Sequence, residues 1–182
     1  EDDLFDGIKV VIKPNMLTDK NPVLCVTTNP VVIEAIILWL KSKGVANIVV
    51  ADTPGGALCM FTDYDAIYEK TQLKPLESIA KLNYDSDYIE IAGDSSFTNK
   101  SFNIINAVAK ADYIINVAKL KTHNLTKISM GIKNLFGCIP GLQKPMFHAK
   151  YPKSKDFSNM LVELAMTIKP NLTVIDAIDA ME

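Results

Sequence analysis

Short apolar runs alternate with stretches of helical spacing along this chain. Ile8 to Ile12 (IKVVI) reads as a strand. Pro14 removes a ladder donor and ends it, leaving Lys13 and Asn15 at its carboxyl end. Met16 to Cys25 is polar and predicts a loop. Thr27-Thr28-Asn29-Pro30 then starts a helix, with Thr28 or Asn29 as cap and proline in the first turn. Ile33, Ile36, Ile37 and Leu40 keep one helical face apolar, and Gly44 ends the helix. Asn47 to Ala51 (NIVVA) is a second strand, running into Asp52-Thr53-Pro54-Gly55-Gly56. A strand–helix–strand unit of this size implies parallel strands and a right-handed crossover.

Further along, Asp63 to Leu82 predicts two short helices broken at Pro75, with Asp63 capping the first. Weak strands surround Tyr88 to Ile91, Gly93 to Ser101 is a polar turn region, and Asn103 to Lys110 reads as a short helix. Tyr113 to Ala118 is an apolar strand that runs into Lys119, Lys121 and His123. The spacing beyond predicts a helix starting near Asn124. It places Ile128, Ile132, Leu135 and Phe136 inward and turns Thr126, Ser129 and Lys133 toward a pocket. Cys138 to Gly141 stops it. Leu142 to Lys155 is a loop containing His148, Phe157 to Ile168 a helix with Ser158 as cap, and Leu172 to Ile175 the last strand, ending in Asp176. The pattern predicts one α/β domain over 1–182: a mainly parallel open sheet with helices on both faces.

Composition narrows the chemistry. The chain has 182 residues, 48% of them hydrophobic and 22% charged, which excludes wholesale disorder. A net charge of -2 carries no nucleic-acid signature. All 19 basic residues are lysine, so anions must be met by ammonium groups or backbone N–H groups rather than by an arginine fork. Cys25, Cys59 and Cys138 are widely spaced with no C-x-x-C, which argues against a disulfide framework or a cysteine-ligated cluster and predicts three buried thiols. No apolar run is long enough to span a membrane and the start, EDDLFDG, is acidic, so a cytoplasmic location without membrane partners is expected. The chain's two ends read as trimmed.

Four predicted strands end in polar groups: Lys13/Asn15, Asp52/Thr53, Lys119/Lys121/His123 and Asp176. If all four are parallel, these groups share the carboxyl edge of the sheet, where open α/β sheets bind ligands. The bland alternative is that strand ends are polar because they reach solvent. Lys119-x-Lys121-x-His123 reads as a cradle for phosphate or carboxylate, aided by the dipole of the helix expected at Asn124; a solvated basic loop is its alternative. His123 also suits a general acid or base. His123 and His148 with Asp52, Asp176 or Glu182 form the alternative of a mixed metal site, although no close ligand spacing supports it. Asp52 to Gly56 fits neither a Walker nor a dinucleotide glycine pattern and reads as a turn.

These stretches resemble the domain-of-unknown-function 362 family. The resemblance rests on V-I-K-P-N at Val11 to Asn15, T-N-P at Thr28 to Pro30, V-A-D-T-P-G-G at Val50 to Gly56 and K-L-K-T-H at Lys119 to His123. It continues in G-I-K-N-L-F-G at Gly131 to Gly137, the later His148, and K-P-N-L-T-V-I-D-A-I-D-A-M-E at Lys169 to Glu182. It implies no settled activity. Family members often carry [4Fe–4S] ferredoxin-like modules, which implies redox-linked metabolism, but this chain has no clustered cysteines to hold such a cofactor. The family also continues into a glycine-rich G-x-G-P stretch beyond Glu182, so the domain is expected to be C-terminally truncated.

The leading expectation is a domain, enzymatic or binding, for a small anionic substrate or cofactor. His123, Lys121 and Asp176 are the catalytic candidates. Lys13, Asn15, Asp52, Lys119, Lys133, Asn134 and His148 are the ligand-binding candidates, and no metal ligand is assigned. In this reading Lys119, Lys121 and Lys133 neutralise the anion, Asn134 orients it, His123 transfers a proton, and Asp52 or Asp176 orients His123 or holds a cation. The second reading is a non-catalytic docking or electron-transfer partner of a ferredoxin-like iron–sulfur protein. The third is a metal-dependent hydrolase or transferase.

Overall fold

A computed structural model describes residues 7–55 and 63–181. At its centre β1 (Lys9–Lys13) pairs in parallel with β2 (Asn47–Val50) on one side and β6 (Tyr113–His123) on the other. β3 (Lys81–Leu82) adds in parallel to β2, and β8 (Leu172–Met181) in parallel to β6. Among the described residues the sheet has six strands, and only β7 (Lys127–Ser129) runs antiparallel, pairing with the far end of β6. β4 (Tyr88–Ala92) and β5 (Ser101–Ile105) form a separate antiparallel pair.

The period-two alternation of the central strands divides their side chains between two cores. Val10, Ile12, Ile48, Val50, Ile115 and Val117 pack with Ile33, Ile37 and Leu40 of α1 (Pro30–Ser42) and with Ile67 and Tyr68 of α2 (Tyr64–Lys70). Val11, Val49, Ala51 and Ile114 pack with α3 (Asn106–Ala109) and with Phe157, Met160, Leu161 and Leu164 of α6 (Ser154–Ile168). This is a mainly parallel α/β sheet with helices on both faces.

Asn29 caps α1, its side chain accepting from the Val31 amide. Thr28 instead joins the end of β1 to β6, because its hydroxyl accepts from Asn15 N–H and donates to the Val117 carbonyl. At the other end of α1, Gly44 takes φ +82° while its own amide bonds Lys41 and that of Val45 bonds Leu40, a closed C-terminal cap. Asp63 caps α2 as expected, and the second helix of that region is a 3-10 turn, Lys74–Ser78.

Several expectations fail. No helix follows His123. β6 continues through it, Thr122 pairs with Ile128 across a hairpin, and helical backbone begins only at α4 (Gly131–Asn134). The β-branched Thr122, Thr126 and Ile128 favour this ribbon. The helical face therefore does not exist: Ile128 and Ile132 are about half exposed while Ser129 is buried. Asn103 to Ile105 belong to β5 rather than to a helix. His148 sits on α5 (Lys144–Lys150) instead of a loop, and α6 starts at Ser154, which leaves Ser158 inside it. β8 runs past Ile175 to Met181, so Asp176 lies within a strand. Cys138 is buried, Cys25 only partly so, and Cys59 lies outside the described residues, as do Gly56 and Glu182.

Candidate functional site

Because β1 and β2 are parallel and in register at Ile12 and Val50, the residues that follow them emerge together. Lys13 is fully buried, and its ammonium lies 2.8 Å from Asp52 Oδ1. It also donates to the Pro14 carbonyl at 2.7 Å and to Asn134 Oδ1 at 3.3 Å. Asp52 accepts from the amides of Met16 and Thr53 as well, at 2.6 and 2.8 Å. A buried ion pair holds only when the remaining lone pairs and protons are satisfied, and these contacts supply that.

Asn134 ties the strand ends together. Its Oδ1 accepts from Asn15 at 2.9 Å and its Nδ2 donates to Asn116 Oδ1 at 2.8 Å. Behind Asn15, Lys121 donates to Asn15 Oδ1 at 2.8 Å and to the Val26 carbonyl. Lys119 pairs with Asp176 at 3.0 Å, both buried, and Asp176 also accepts from the amide of Asn29. The turn at Gly137 closes over the Lys13–Asp52 pair. A Cβ there would overlap Asp52 Oδ1 and stand 2.5 Å from Lys13 Nζ, so only glycine fits. Thr53 pins this turn through bonds from its amide and hydroxyl to the Gly137 carbonyl.

A cavity of about 500 Å³ opens above these groups. Of the expected site residues, Lys13, Asn15, Asp52, His123, Lys133, Asn134 and His148 line it. Lys119, Lys121 and Asp176 do not: Lys121 props Asn15 from behind, and the other two form their own ion pair between β6 and β8. Sequence reasoning missed Lys144, which lines the cavity while donating to the carbonyls of Thr53 and Pro54. It also missed the Phe136, Leu17 and Pro145 walls. Lys144 was legible only as one lysine in an apparent loop, because nothing in its neighbours announces that the start of α5 meets the loop after β2.

The electrostatics run in one direction. Burial and the nearby Lys13 lower the Lys133 ammonium to about 8. Burial, with repulsion from Lys133, Lys13 and Lys119 outweighing the pull of Asp52, brings Lys121 to about 8 as well. His123 falls to about 4, through burial and then Lys133, His148 and Lys121, and His148 is lowered by burial and Lys133. Each shift favours the uncharged form, and a bound anion would reverse each. His123 Nδ1 accepts from the amides of Leu125 and Thr126 at 3.2 and 3.3 Å, which puts the ring proton on Nε2. Backbone amides therefore hold this ring where a carboxylate was expected, and it presents an N–H donor rather than a free base. His148 stacks on Phe157, with ring centroids 4.6 Å apart. Among the described residues no three His, Cys, Asp or Glu side chains converge as metal ligands, and no helix is long and apolar enough to cross a membrane.

The model of a family described as "Domain of unknown function (DUF362)" matches residues 10–182. The thylakoid-associated protein sll1697 of Synechocystis sp. is 33% identical over 181 residues, covering 97% of this chain and 53% of that protein. The chain thus spans about half the length of this curated relative. Among solved structures, the lactate racemase apoprotein from Thermoanaerobacterium thermosaccharolyticum superposes with a TM-score of 0.64 at 17% identity. That likeness covers 95% of this chain and 44% of the racemase and concerns the fold alone.

Proposed function

We propose that this chain, which belongs to the DUF362 family, binds a small anionic substrate in the cavity at the carboxyl edge of its sheet and acts on it as an enzyme. The observation that carries the reading is the charge balance around the cavity. Among the described residues, Lys13, Lys133 and Lys144 line it with Lys121 just behind, and Asp52 is the one carboxylate in the lining. Burial first, and repulsion from neighbouring lysines second, lower the proton affinity of Lys133 and Lys121, a cost that a ligand's negative charge offsets.

The roles follow from the contacts. Lys133 meets the anion, and His123 donates its Nε2–H to an oxygen of the ligand. Lys13, Asp52, Asn15 and Asn134 use most of their hydrogen-bonding capacity on one another, so they shape the floor instead of gripping the ligand. A hydroxy- or oxo-carboxylate, the size of substrate that the name lactate racemase implies for the fold neighbour, suits a cavity with this charge and with Leu17, Phe136 and Pro145 as apolar walls. The docking reading has less support, because Lys13, Lys119 and Lys121 are buried and present no flat basic face to an acidic partner.

The test is a thermal-shift screen of lactate, pyruvate, dicarboxylates and inorganic phosphate against the wild type and Lys133→Ala. A ligand at a hundred times its Kd stabilises by about 2.7 kcal/mol. A shift with one class of anion that disappears in the variant supports the reading. No shift with any anion, or one that survives in the variant, removes it.

A further inference from the structure

We propose that Lys133 is a nucleophilic amine that captures the carbonyl carbon of a small 2-oxo acid as an imine. This deepens the anion-binding reading and rests on it. Most lysines around the site are already committed. Lys13 is held by Asp52, Lys119 by Asp176, Lys121 by Asn15 and the Val26 carbonyl, and Lys144 by the carbonyls of Thr53 and Pro54. Lys133 makes no hydrogen bond or ion pair among the described residues, yet it lines the cavity beside His123. It also lines a second cavity of about 530 Å³ walled by Ile128, Ile132, Leu135 and Leu161. An amine with no partner among the described residues, partly buried and sharing its cavity with the Lys13 ammonium, is the arrangement that exposes a nitrogen lone pair near neutral pH. Its pKa of about 8 agrees with this, being set by burial and Lys13.

The surrounding groups suit the step. The fraction of Lys133 that stays neutral beside the bound carboxylate adds through its nitrogen to the carbonyl carbon, and the π pair moves onto oxygen, where the Nε2–H of His123 can donate to it. That oxygen takes one proton from the nitrogen and one from solvent and leaves as water. The product is a protonated imine, with no oxidant or reductant required. The positive potential of the site favours the substrate carboxylate, and the second, apolar cavity offers space for an aliphatic chain.

The experiment is reductive trapping. The protein is incubated at pH 8 with pyruvate or 4-methyl-2-oxopentanoate and cyanoborohydride, and the modified lysine is located by peptide mass mapping. Lactate, which has no carbonyl, is tested in parallel for binding by thermal shift. The expected result is a saturable adduct on Lys133, formed about a hundredfold faster than on surface lysines. That ratio follows from the neutral fraction of an amine at about 8 against the usual 10.5. In a folded Lys133→Arg variant only the slow surface labelling should remain. Binding of lactate with no preferential adduct on Lys133, or with the adduct on Lys121 or Lys144, overturns the imine and leaves the anion site standing. Neither binding nor an adduct overturns both.

Discussion

In the proposed anion site, Lys133 is where stability and function conflict. Its ammonium is largely buried and near Lys13, so a neutral isostere removes the cost of burying the charge and, second, the repulsion. Lys133→Met should raise stability by about 1–3 kcal/mol at pH 7 while weakening anion binding, a trade common at active sites. Chemical denaturation reads the first effect, and a destabilised variant would contradict the electrostatic account. The pH dependence follows from the same groups. Lys121 and Lys133 titrate near 8 in the folded chain against 10.5 normally, so the unfolded chain binds more protons in that window. Stability should therefore climb from pH 8 to 9, until Cys138, whose buried thiol is raised to about 12 from 9.0, begins to oppose it. His123, at about 4 against 6.5, has the same sign at lower pH, so stability should fall as pH drops below 6.5. A flat profile in denaturation midpoints across pH 8 to 9 would contradict the lysine assignment. Gly137→Ala is a second residue-scale case. Its methyl would occupy the space of Asp52 Oδ1 and split a buried ion pair, at a cost of about 3–5 kcal/mol in measured unfolding free energy. An Ala variant as stable as wild type would show that the turn can move aside.

At the scale of elements, what the sequence disclosed depended on whether a pattern was locally enforced. β1, α1 and β2 were legible because Pro14, the Asn29-Pro30 start and Gly44 punctuate them chemically. The hairpin after His123 was not, because Ile128, Ile132 and Leu135 happen to fall at helical spacing while the pairing that decides the matter, Thr122 with Ile128, is tertiary. The same alternation placed Lys119, Lys121 and His123 on an extended strand, so their common spacing comes from a period of two rather than from a loop. Their separate fates, ion pair, prop and cavity wall, depended on β8, Asn15 and α4 and were invisible in the chain. Thr28 shows how an element end serves the site. Thr28→Val removes the hydroxyl that joins Asn15 to Val117, both buried. It should cost about 1–3 kcal/mol in chemical denaturation and also weaken anion binding by releasing the end of β1. Loss of stability with unchanged affinity would separate the two.

Taken whole, the molecule carries a net charge of -2 yet places Lys13, Lys133 and Lys144 around one cavity at the edge of the sheet, so the positive potential there is local. Anions inside such a cavity are screened less by salt than a surface pair would be. The fold it shares with a racemase at 17% identity positions that edge, and the residues there have to account for the chemistry themselves. Whether those lysines hold an anion is decided by calorimetric titration of the protein with lactate and with phosphate at pH 8, in buffers of different ionisation enthalpy. Saturable binding by at least one of them is expected, with uptake of protons as Lys133 and Lys121 regain charge beside the anion, and with loss of most of that uptake in Lys133→Met. Binding whose enthalpy does not depend on the buffer, or no binding by either anion, would refute the lysine pocket.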